Sequence, residues 1–368
     1  MRIGVDAHML GDHSGGNESY YTNILRNMCP DDDMELYLFV RKDIDTSNYQ
    51  DKFNIVEFKE TDAFKRNFLE LPRLCKKYKL DLLHTQYFIP FKRYCPVVCT
   101  IHDICFEHYK DIFTKKEYIR QKLLIPYAAK HSIKLFTVSE DAKRDIVRHY
   151  KVYDKDVVVT YNAVNDRFKV LSESELQEGE LRKKFDIGPS RYILSVGNLQ
   201  PRKNLPRLIR AFSKYEKKST DDIRLVIVGK KAWMYDDILK EACEQTEKII
   251  FTDYVSEKDL VRLYNAATCF VYPSFFEGFG IPPLEAMACG TPVAVSNKTS
   301  LPEVVGDAGI YFDPFSEDEI VACIEKMMRK DYMDEEIKRR MGQQVERFDW
   351  GRSSDLILQT YRKVLKCS

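Results

Sequence analysis

The stretch 270–295, FVYPSFFEGFGIPPLEAMACGTPVAV, restricts the fold of this chain more than any other stretch. An apolar run from Cys269 to Tyr272 predicts a strand, which leads into a loop with the turn Gly278-Phe279-Gly280. A helix follows the turn, and the apolar run 292–295 predicts the next strand. Strand, glycine turn, helix and strand in this order indicate an α/β domain.

The helix of this stretch is expected to bind an anion at its beginning. Pro282 and Pro283 lie in its first turn, where a missing N–H is harmless, and Gly290 marks its end. The first N–H groups of a helix lack carbonyl partners and carry the positive end of the dipole, which suits a phosphate. Glu285 is expected in the same first turn, and Glu277 precedes it by eight residues. An anion site between two carboxylates fits a nucleotide diphosphate sugar, although an ordinary α/β turn with an acid at a helix start explains the same pattern.

Strand-like and helical runs alternate along the whole chain, which predicts a mostly parallel sheet flanked by helices in each half. The apolar runs are 2–6, 36–40, 55–58, 82–84, 97–101, 135–138 and 157–161 in the first half, and 191–196, 225–229, 249–251, 269–272 and 292–295 in the second. With 368 residues, the chain is long enough for two such domains. Ligands of these sheets bind beyond the carboxyl ends of the strands, so the residues that follow strands are the candidates for function.

Two pairs of polar residues follow predicted strands. His102 and Asp103 come directly after the run 97–101, where they either face a ligand or serve the next helix, with Asp103 as its cap. Arg202 and Lys203 lie after the first strand of the second half and just before a helix. A guanidinium fork and an ammonium charge suit diphosphate oxygens, although a basic pair by itself is more often a solvated face.

The composition, 44% hydrophobic and 31% charged, is that of a soluble globular protein. No run of 18 apolar residues exists, so no membrane-spanning segment is expected, and the N-terminal MRIGVDAHML is interpreted as a first strand and not as a signal peptide. The ten cysteines form no CxxC pair, which favours reduced thiols over disulfides or a zinc site. We therefore expect a cytoplasmic protein without a metal.

The charges are unevenly distributed, although the net charge of +1 does not favour nucleic-acid binding. Residues 1–62 contain 6 Lys or Arg and 13 Asp or Glu, whereas residues 63–155 contain 20 and 10. Solvated helix faces explain this excess, and a surface for anionic lipid is the alternative. The segment 64–80, FKRNFLELPRLCKKYKL, mixes Phe, Leu and basic residues as a membrane-surface helix does, but Pro72 is expected to break or kink such a helix.

The residues 277–296, EGFGIPPLEAMACGTPVAVS, resemble the E-x7-E segment of the family 4 retaining glycosyltransferases, which have the GT-B fold. The resemblance covers nearly the whole chain and implies two Rossmann-like doubly wound domains that face a central cleft. The implied parts are an acceptor-binding domain 1–180, a nucleotide-sugar-binding domain 181–347 and a C-terminal helix 348–368 that crosses back onto the first domain.

The resemblance also implies roles for individual residues. In the family, the residue matching Glu285 binds the ribose, and those matching Glu277 and His102 contact the transferred sugar. The pair Arg202 and Lys203, in a GxxxPRKN pattern, would neutralise the leaving diphosphate. The other implied residues are Asp103 for catalysis, and Gly15, Gly16, Asn198, Val255, Gly278, Phe279, Gly280, Ile281 and Leu284 for donor binding. Where many members carry GGIGRY this chain has GGNESY, so Glu18 replaces a glycine of a loop that approaches a sugar.

The resemblance implies a hexosyltransferase that retains the anomeric configuration and needs no metal or cofactor. GDP-mannose is the expected donor, because the pattern is most similar to mannosyltransferases of bacterial surface polysaccharides, and a UDP-sugar is the alternative. The expected acceptor is a glycan or lipid-linked glycan, with peripheral contact to an anionic membrane left open. The rivals are a nucleotide-sugar 2-epimerase, a non-catalytic nucleotide-sugar-binding subunit and a metal-dependent GT-A enzyme that would use the D-x-D strings 43–45 or 154–156.

Overall fold

The computed structural model of the protein describes residues 1–11, 15–230, 240, 246–329 and 331–366. The chain forms two compact units, of which unit 1 comprises Met1–Asn162 and Asp349–Ser368 and unit 2 comprises Ala163–Phe348. Each unit contains one parallel sheet with flanking helices. The predicted α/β class with two Rossmann-like doubly wound units is therefore confirmed.

Unit 1 is built on a seven-stranded sheet with the order β3-β2-β1-β4-β5-β6-β7. Its strands are β1 (Arg2–Asp6), β2 (Glu35–Val40), β3 (Asn54–Glu57), β4 (Leu82–Gln86), β5 (Val97–Thr100), β6 (Lys134–Thr137) and β7 (Val157–Val159). Its described helices are α1 (Gly16–Asn27), α2 (Ala63–Lys65), α3 (Leu71–Tyr78), α4 (Cys105–His108), α5 (Lys115–His131), α6 (Glu140–Tyr150) and the last helix, α15 (Trp350–Lys366). The strand order reverses between β1 and β4, which form the topological switch point of this sheet.

Unit 2 is built on a six-stranded sheet with the order β10-β9-β8-β11-β12-β13. Its strands are β8 (Arg191–Val196), β9 (Ile223–Val228), β10 (Ile249–Phe251), β11 (Cys269–Tyr272), β12 (Val293–Ser296) and β13 (Ile310–Phe312). Its described helices are α7 (Glu173–Leu176), α8 (Glu178–Lys184), α9 (Leu205–Lys218), α10 (Glu257–Ala266), α11 (Ile281–Ala288), α12 (Leu301–Val305), α13 (Glu317–Met327) and α14 (Glu335–Glu346). Here the switch point lies between β8 and β11.

The strands are nearly continuous apolar runs because both faces of a parallel sheet are covered. All four residues of β11 are buried, and the predicted runs 191–196, 249–251 and 269–272 coincide with β8, β10 and β11. The predicted run 2–6 likewise coincides with β1. The other predicted strands differ from the observed ones by one or two residues at one or both ends, as for β7, which ends at Val159 and not at Tyr161.

Pro72 does not break the helical segment in which it lies. α2 continues through a π-helical turn, Arg66–Glu70, directly into α3. In this turn the N–H of Leu71 donates to the carbonyl of Arg66, one residue further back than in an α-helix. A wider turn accommodates a residue that lacks an N–H and crowds the carbonyl four residues before it. Pro72 itself lies in the first turn of α3, where its missing N–H is harmless.

The last helix completes unit 1. The hydroxyl of Ser354 in α15 donates to the carbonyl of Ile24 in α1 at 2.9 Å. The hydroxyl of Tyr361, which is fully buried, lies 2.5 Å from Nδ1 of His84 in β4. α15 therefore belongs to the core of the unit in which the chain begins.

The boundary between the units follows Asn162, whereas the sequence predicts it at residue 180. The segment after the boundary packs on α10, where the N–H of Leu171 donates to Oδ1 of Asn265 at 2.8 Å. The side-chain amide of Asn265 in turn donates to the carbonyl of Lys169 at 3.0 Å. These contacts place the start of the connecting segment in unit 2.

Candidate active site

The carboxyl ends of β8 and β11 lie side by side at the switch point of unit 2, because these two strands pair in parallel. Loops that leave two such strands diverge, and the crevice between them is where doubly wound sheets bind ligands. Arg202 and Lys203 lie in the loop after β8, and Glu277 lies in the loop after β11. The structure thus brings these three predicted residues together.

The carboxylate of Glu277 lies between two cations. Nη1 of Arg202 donates to its Oε2 at 2.5 Å, and Nζ of Lys203 donates to its Oε1 at 2.8 Å. The hydroxyl of Tyr272 donates to Oε1 at 3.0 Å, and the hydroxyl of Ser274 donates to the same oxygen. Glu277 is 7% exposed, so these charge-assisted hydrogen bonds are largely shielded from water.

The cluster keeps Glu277 ionised. Burial by itself raises the pKa of this carboxyl, but the charges of Arg202 and Lys203, with hydrogen bonds from Lys203 and Ser274, lower it to about 2. Two cations and one carboxylate leave one net positive charge. The cluster can therefore attract a diphosphate while it holds Glu277 in one orientation.

Asn204 fixes the loop that carries the two cations. It adopts the left-handed conformation, with φ 55°, directly after a short 3₁₀ turn. Its side-chain amide donates to the carbonyls of Pro273 at 3.1 Å and Pro314 at 2.8 Å. In addition, the N–H of Phe275 donates to the carbonyl of Arg202 at 3.0 Å. The loops after β8, β11 and β13 are thereby linked, and this linkage sets the position of the cations.

The turn before α11 is held in one conformation. It is formed by the predicted donor-binding residues Gly278, Phe279 and Gly280, and the predicted Ile281 is the first residue of α11. Gly280 has φ 105°, and a Cβ at this position would lie 2.6 Å from the side chain of Leu301. The hydroxyl of Ser300 donates to the carbonyls of Glu277 at 2.9 Å and Phe279 at 2.7 Å. The start of the eight-residue helix α11 is therefore rigidly presented at the crevice.

Glu285 lies in the second turn of α11, and the prediction that it lies in the first turn is wrong. α11 begins at Ile281, directly after the left-handed Gly280, so Glu285 is its fifth residue. Its carboxyl accepts a hydrogen bond from the hydroxyl of Tyr264 at 2.9 Å. Burial of the carboxyl raises its pKa to about 7, and the hydrogen bond from Tyr264 opposes this rise. Near neutral pH this carboxyl is therefore partly protonated, in contrast to Glu277.

The other donor-binding residues predicted for unit 2 differ in exposure. Asn198 follows β8 and is half-buried, and Val255 lies buried between β10 and α10. The side chain of Leu284 is fully buried, so it packs inside the unit. Phe279 is also buried, and its ring contacts that of Phe348 edge-to-face with centroids 5.1 Å apart. Because the side chains of Leu284 and Phe279 are buried, only their backbone is available to contact a ligand.

The glycine loop of unit 1 begins α1. Gly15 precedes the helix with φ 80°, and Gly16 is its first residue. The carboxylate of Glu18 accepts a hydrogen bond from the N–H of Gly11 at 2.8 Å. The glutamate that replaces a family glycine therefore bridges this loop, of which residues 12–14 lie outside the described part.

His102 and Asp103 lie at the end of β5. His102 is 5% exposed, with its ring edge-to-face on Tyr20 at 4.8 Å and its Nε2 next to the side-chain amide of Gln86. Burial lowers the pKa of His102 to about 3, so the ring is neutral at physiological pH. Oδ1 of Asp103 accepts from the N–H of Cys105, the first residue of α4, at 2.9 Å. Asp103 thus accepts from the first N–H of α4, although the cap residue of this helix is Ile104, and a catalytic role for His102 or Asp103 stays a prediction.

The side chains that hold the predicted residues in place were not predicted from the sequence, namely Tyr264, Tyr272, Ser274, Thr299 and Ser300. Ser274, Thr299 and Ser300 follow the ends of β11 and β12, so the rule that residues after strands are functional could have found them. Tyr264 and Tyr272 are fully buried, and nothing in the sequence distinguishes them from ordinary aromatic residues of the core.

Among the residues that the structure describes, no group of three or more His, Cys, Asp or Glu side chains is placed to hold a metal ion. None of the helices formed by these residues has the length and apolar character that crossing a membrane requires.

Solved structures share this architecture. HepE from Anabaena in complex with UDP-glucose superposes with a TM-score of 0.76 over 99% of this chain and 100% of that chain, at 17% identity. WaaG, a glycosyltransferase involved in lipopolysaccharide biosynthesis, superposes with a TM-score of 0.73 over 97% and 99% of the two chains, at 16% identity. At such identities the likeness concerns the fold, and it defines the class as α/β proteins of the GT-B type.

Sequence comparison gives the family. The models "Glycosyltransferase Family 4" and "Glycosyl transferases group 1" match residues 14–168 and 177–348. The chain is 34% identical over 297 residues to O-antigen chain mannosyltransferase B of Escherichia coli, which covers 78% of this chain and 75% of that protein. It is 30% identical over 288 residues to the serotype-specific mannosyltransferase WbdA of Escherichia coli, of which it spans about a third, 34%. The chain belongs to the family 4 glycosyltransferases.

Proposed function

We propose that this glycosyltransferase moves mannose from GDP-mannose onto a glycan acceptor, with retention at the anomeric carbon. The observation that carries the proposal is the cluster of Arg202, Lys203 and Glu277 at the switch point of unit 2. Mannose is supported by the similarity to O-antigen chain mannosyltransferase B. The acceptor would be a growing surface polysaccharide or its lipid-linked precursor.

The proposed reaction requires stabilisation of two developing charges. Negative charge grows on the departing diphosphate, and positive charge grows on the sugar carbon. The net positive charge of the cluster and the N-terminal end of α11 stabilise the diphosphate as preorganised groups. Glu277 orients the sugar by accepting hydrogen bonds from its hydroxyls, and Glu285 does the same for the ribose.

In the transfer step one bond breaks and one forms on the same face of the sugar. The bond between the anomeric carbon and the diphosphate oxygen breaks, and its electron pair stays on the diphosphate. The oxygen of the acceptor hydroxyl bonds to the anomeric carbon, and its proton passes to an oxygen of the diphosphate. Atoms and charges balance with the donor, the acceptor and the residues of this chain.

This mechanism operates without a divalent metal. The rival GT-A mechanism would need a D-x-D string as metal ligand, but Asp154 pairs with Lys143 at 3.0 Å and Asp156 with Lys134 at 2.7 Å. Both aspartates belong to a short 3₁₀ turn of unit 1. We expect full transfer activity in excess chelator, whereas strict dependence on manganese would contradict the proposal.

The experiment that tests the proposal is transfer to a mannose-terminated acceptor from GDP-mannose, UDP-glucose and UDP-galactose in parallel. We expect turnover with GDP-mannose. The one-bond carbon–hydrogen NMR coupling at the anomeric carbon should show an α-linked product, which has the same configuration as the α-linked donor. A β-linked product would disprove retention, and turnover with a UDP-sugar alone would replace the donor. Incubation without acceptor addresses the epimerase alternative, because only an epimerase would yield an isomeric nucleotide sugar.

The proposed compartment is the cytoplasm, where nucleotide sugars are made. Among the described residues eight cysteines are free thiols, which suits a reducing compartment. Reaction of the native protein with a thiol reagent, before and after unfolding, would check this state.

A further inference from the structure

Two stacked aromatic rings lie at the carboxyl end of the sheet in unit 2. Phe275 follows β11 and Phe315 follows β13, and their ring centroids are 4.9 Å apart with an angle of 16° between the ring planes. Phe315 is 54% exposed, whereas the other phenylalanines that the structure describes in unit 2 are buried or half-buried. An apolar ring is thus presented to solvent at the end of the sheet where doubly wound proteins bind their ligands.

Arg207, the third residue of α9, holds the two rings in place. Its guanidinium carbon lies 5.7 Å from the ring centroid of Phe275 and 5.4 Å from that of Phe315. Its Nη1 donates to Oδ1 of Asn204 at 3.0 Å and to the carbonyl of Pro314 at 3.1 Å. Both hydrogen bonds use Nη1, which leaves the N–H groups of Nε and Nη2 for other acceptors. We name Phe275, Phe315 and Arg207 the aromatic platform.

The aromatic platform is continuous with the cluster of two cations and one carboxylate at the switch point. The N–H of Phe275 donates to the carbonyl of Arg202 at 3.0 Å. The side-chain amide of Asn204 donates at 2.8 Å to the carbonyl of Pro314, the residue before Phe315. The same loops therefore carry the cluster and the platform, and the position of one is fixed relative to the other.

The platform and the helix that carries Glu285 belong to opposite faces of the sheet. The strands that follow β8 are added on one side of it, and those that follow β11 are added on the other. Right-handed crossovers then place α9 on one face, and α10 and α11 on the other. Glu285 and its partner Tyr264 lie on these last two helices, whereas Arg207 lies on α9. The cluster at the switch point thus has Glu285 on one side and the platform on the other.

We propose that the aromatic platform binds a pyranose residue of the glycan acceptor, beyond the sugar at which transfer takes place. The inference rests on the proposed transfer to a glycan and assigns a subsite to that acceptor. The C–H groups on one face of a pyranose pack on an aromatic ring, because the ring face carries the negative part of its quadrupole. Hydroxyls at the edge of the same sugar accept hydrogen bonds from the planar guanidinium of Arg207.

The size and position of the platform favour this occupant. Two rings and one guanidinium match a single pyranose, whereas a stable interface between protein molecules buries about 800 Å² of each partner. The nucleobase of the donor is disfavoured, because Glu285, which is proposed to bind the ribose, lies on a helix of the other face. A glycan that extends from the reacting sugar on the side opposite to the nucleotide would pass over the platform.

The test compares a short and a long acceptor that end in the same mannose, namely methyl α-mannoside and an α-linked mannotetraose. For the wild type we expect kcat/KM to be about ten-fold higher with the tetrasaccharide, because the platform adds binding energy away from the reacting sugar. Phe315→Ala should raise KM for the tetrasaccharide about ten-fold and leave kcat/KM for methyl α-mannoside unchanged. An equal loss with both acceptors, or no loss with the tetrasaccharide, would overturn the proposal.

Two further variants separate stacking from damage to the fold. Phe315→Tyr keeps an aromatic ring and should retain the wild-type KM for the tetrasaccharide. Tyr153→Ala is the matched control, since it removes a ring of unit 1 that is 75% exposed, and it should change neither acceptor. A Phe315→Tyr variant as impaired as Phe315→Ala would contradict a role for the ring, and so would an equal impairment of Tyr153→Ala.

The outcome is separable from the identity of the donor. If a UDP-sugar replaces GDP-mannose, the two acceptors are compared with that donor, and the platform is tested in the same way. Saturation-transfer NMR of the tetrasaccharide with the intact protein gives a readout that needs no transfer at all. Signals from the sugars beyond the terminal mannose should be strong for the wild type and weak for Phe315→Ala, and equal signals would count against the platform.

Sedimentation velocity addresses the other occupant, a second copy of the chain. We expect the same sedimentation coefficient for the wild type and for Phe315→Ala. A dimer that is lost in Phe315→Ala would assign the platform to self-association and overturn the assignment to a glycan.

Discussion

The two sheets have the same order in their first six strands, but the chemistry at their switch points differs. In unit 2 the ends of β8 and β11 carry the ionised cluster of Arg202, Lys203 and Glu277. In unit 1, β1 ends at the buried Asp6, where burial raises the pKa of the carboxyl but the charge and hydrogen bonds of His8 hold it below its usual range, and Oδ1 of Asp6 lies 2.9 Å from Nδ1 of His8. His102 follows β5, and burial lowers its pKa to about 3. The crevice of unit 2 therefore carries two cations beside its carboxylate, whereas that of unit 1 carries a carboxylate and a neutral imidazole. Topology decides where a ligand binds, whereas the side chains after the strands decide which ligand binds.

The largest expected effect comes from removing the charge of unit 2. Arg202→Ala combined with Lys203→Ala should lower kcat on the order of 10⁴-fold, because each preorganised donor contributes about 100-fold. Initial rates of transfer measure the effect, and thermal unfolding shows whether the variant is folded. Lys217→Ala with Lys218→Ala on α9 is the matched control and should have wild-type rates. Full turnover by a folded Arg202/Lys203 variant would show that these two cations are not what makes the crevice of unit 2 functionally different from that of unit 1.

The second effect concerns the carboxylate between the cations. Glu277→Gln preserves the shape but leaves two cations without their counter-charge, so transfer should fall about 100-fold. The free energy of unfolding should fall by about 3 kcal/mol, because a partner of a buried ion pair is removed. Urea unfolding measures this change. Glu325→Gln, on the exposed side of α13, should stay within about 0.5 kcal/mol of the wild type, and an equal loss there would contradict the explanation.

The third effect is a pH dependence of donor binding that resides in Glu285. The pKa of this carboxyl is raised to about 7, so donor affinity should fall as pH decreases through 7 and the carboxyl becomes protonated. The contribution of Glu285 to the free energy of unfolding changes with pH in the opposite direction to donor affinity. It is fully present below the ordinary pKa of a glutamate and is lost as pH rises through 7. Calorimetric titration of the donor at several pH values measures the affinity.

Two variants sharpen this prediction. Tyr264→Phe removes the hydrogen bond that lowers the pKa of Glu285, so the midpoint should move to higher pH. Glu285→Gln should bind the donor weakly and without this pH dependence. A wild-type profile that is flat between pH 6 and 8 would show that Glu285 does not titrate there.

The smallest effect is expected in unit 1. Because the pKa of His102 is lowered to about 3, its ring should show no protonation in NMR spectra above about pH 4. Stability from this residue is present above the ordinary pKa near 6.5 and is lost as pH falls towards 3. His102→Asn should lower kcat about ten-fold and leave the pH profile unchanged. A His102 resonance that titrates near 6.5 would contradict the comparison of the two crevices.

The elements and residues that were predicted correctly from the sequence are those determined by residue types that lie close together in the chain. β8, β10 and β11 are continuous apolar runs, and burial on both faces of a parallel sheet leaves few other interpretations. Arg202, Lys203 and Glu277 lie in short motifs after strands, so the topology alone brings them together. Their meeting point was therefore predictable.

The remaining features depend on contacts between distant parts of the chain. The first residue of α11 follows from the left-handed Gly280 and its packing on Leu301, which moved Glu285 into the second turn. The hydroxyl of Tyr264 meets Glu285 across 21 positions of sequence, and no local pattern marks that pair. The π-helical turn before Pro72 likewise depends on a backbone rearrangement that single-residue propensities do not describe.

The return of α15 to unit 1 has a consequence for biosynthesis. Unit 2 is one uninterrupted block of sequence, whereas unit 1 consists of two pieces that are translated before and after it. While the ribosome makes unit 2, His84 and Ile24 still lack Tyr361 and Ser354. Unit 2 therefore has all its residues before unit 1 does, and unit 1 stays incomplete until α15 has been made.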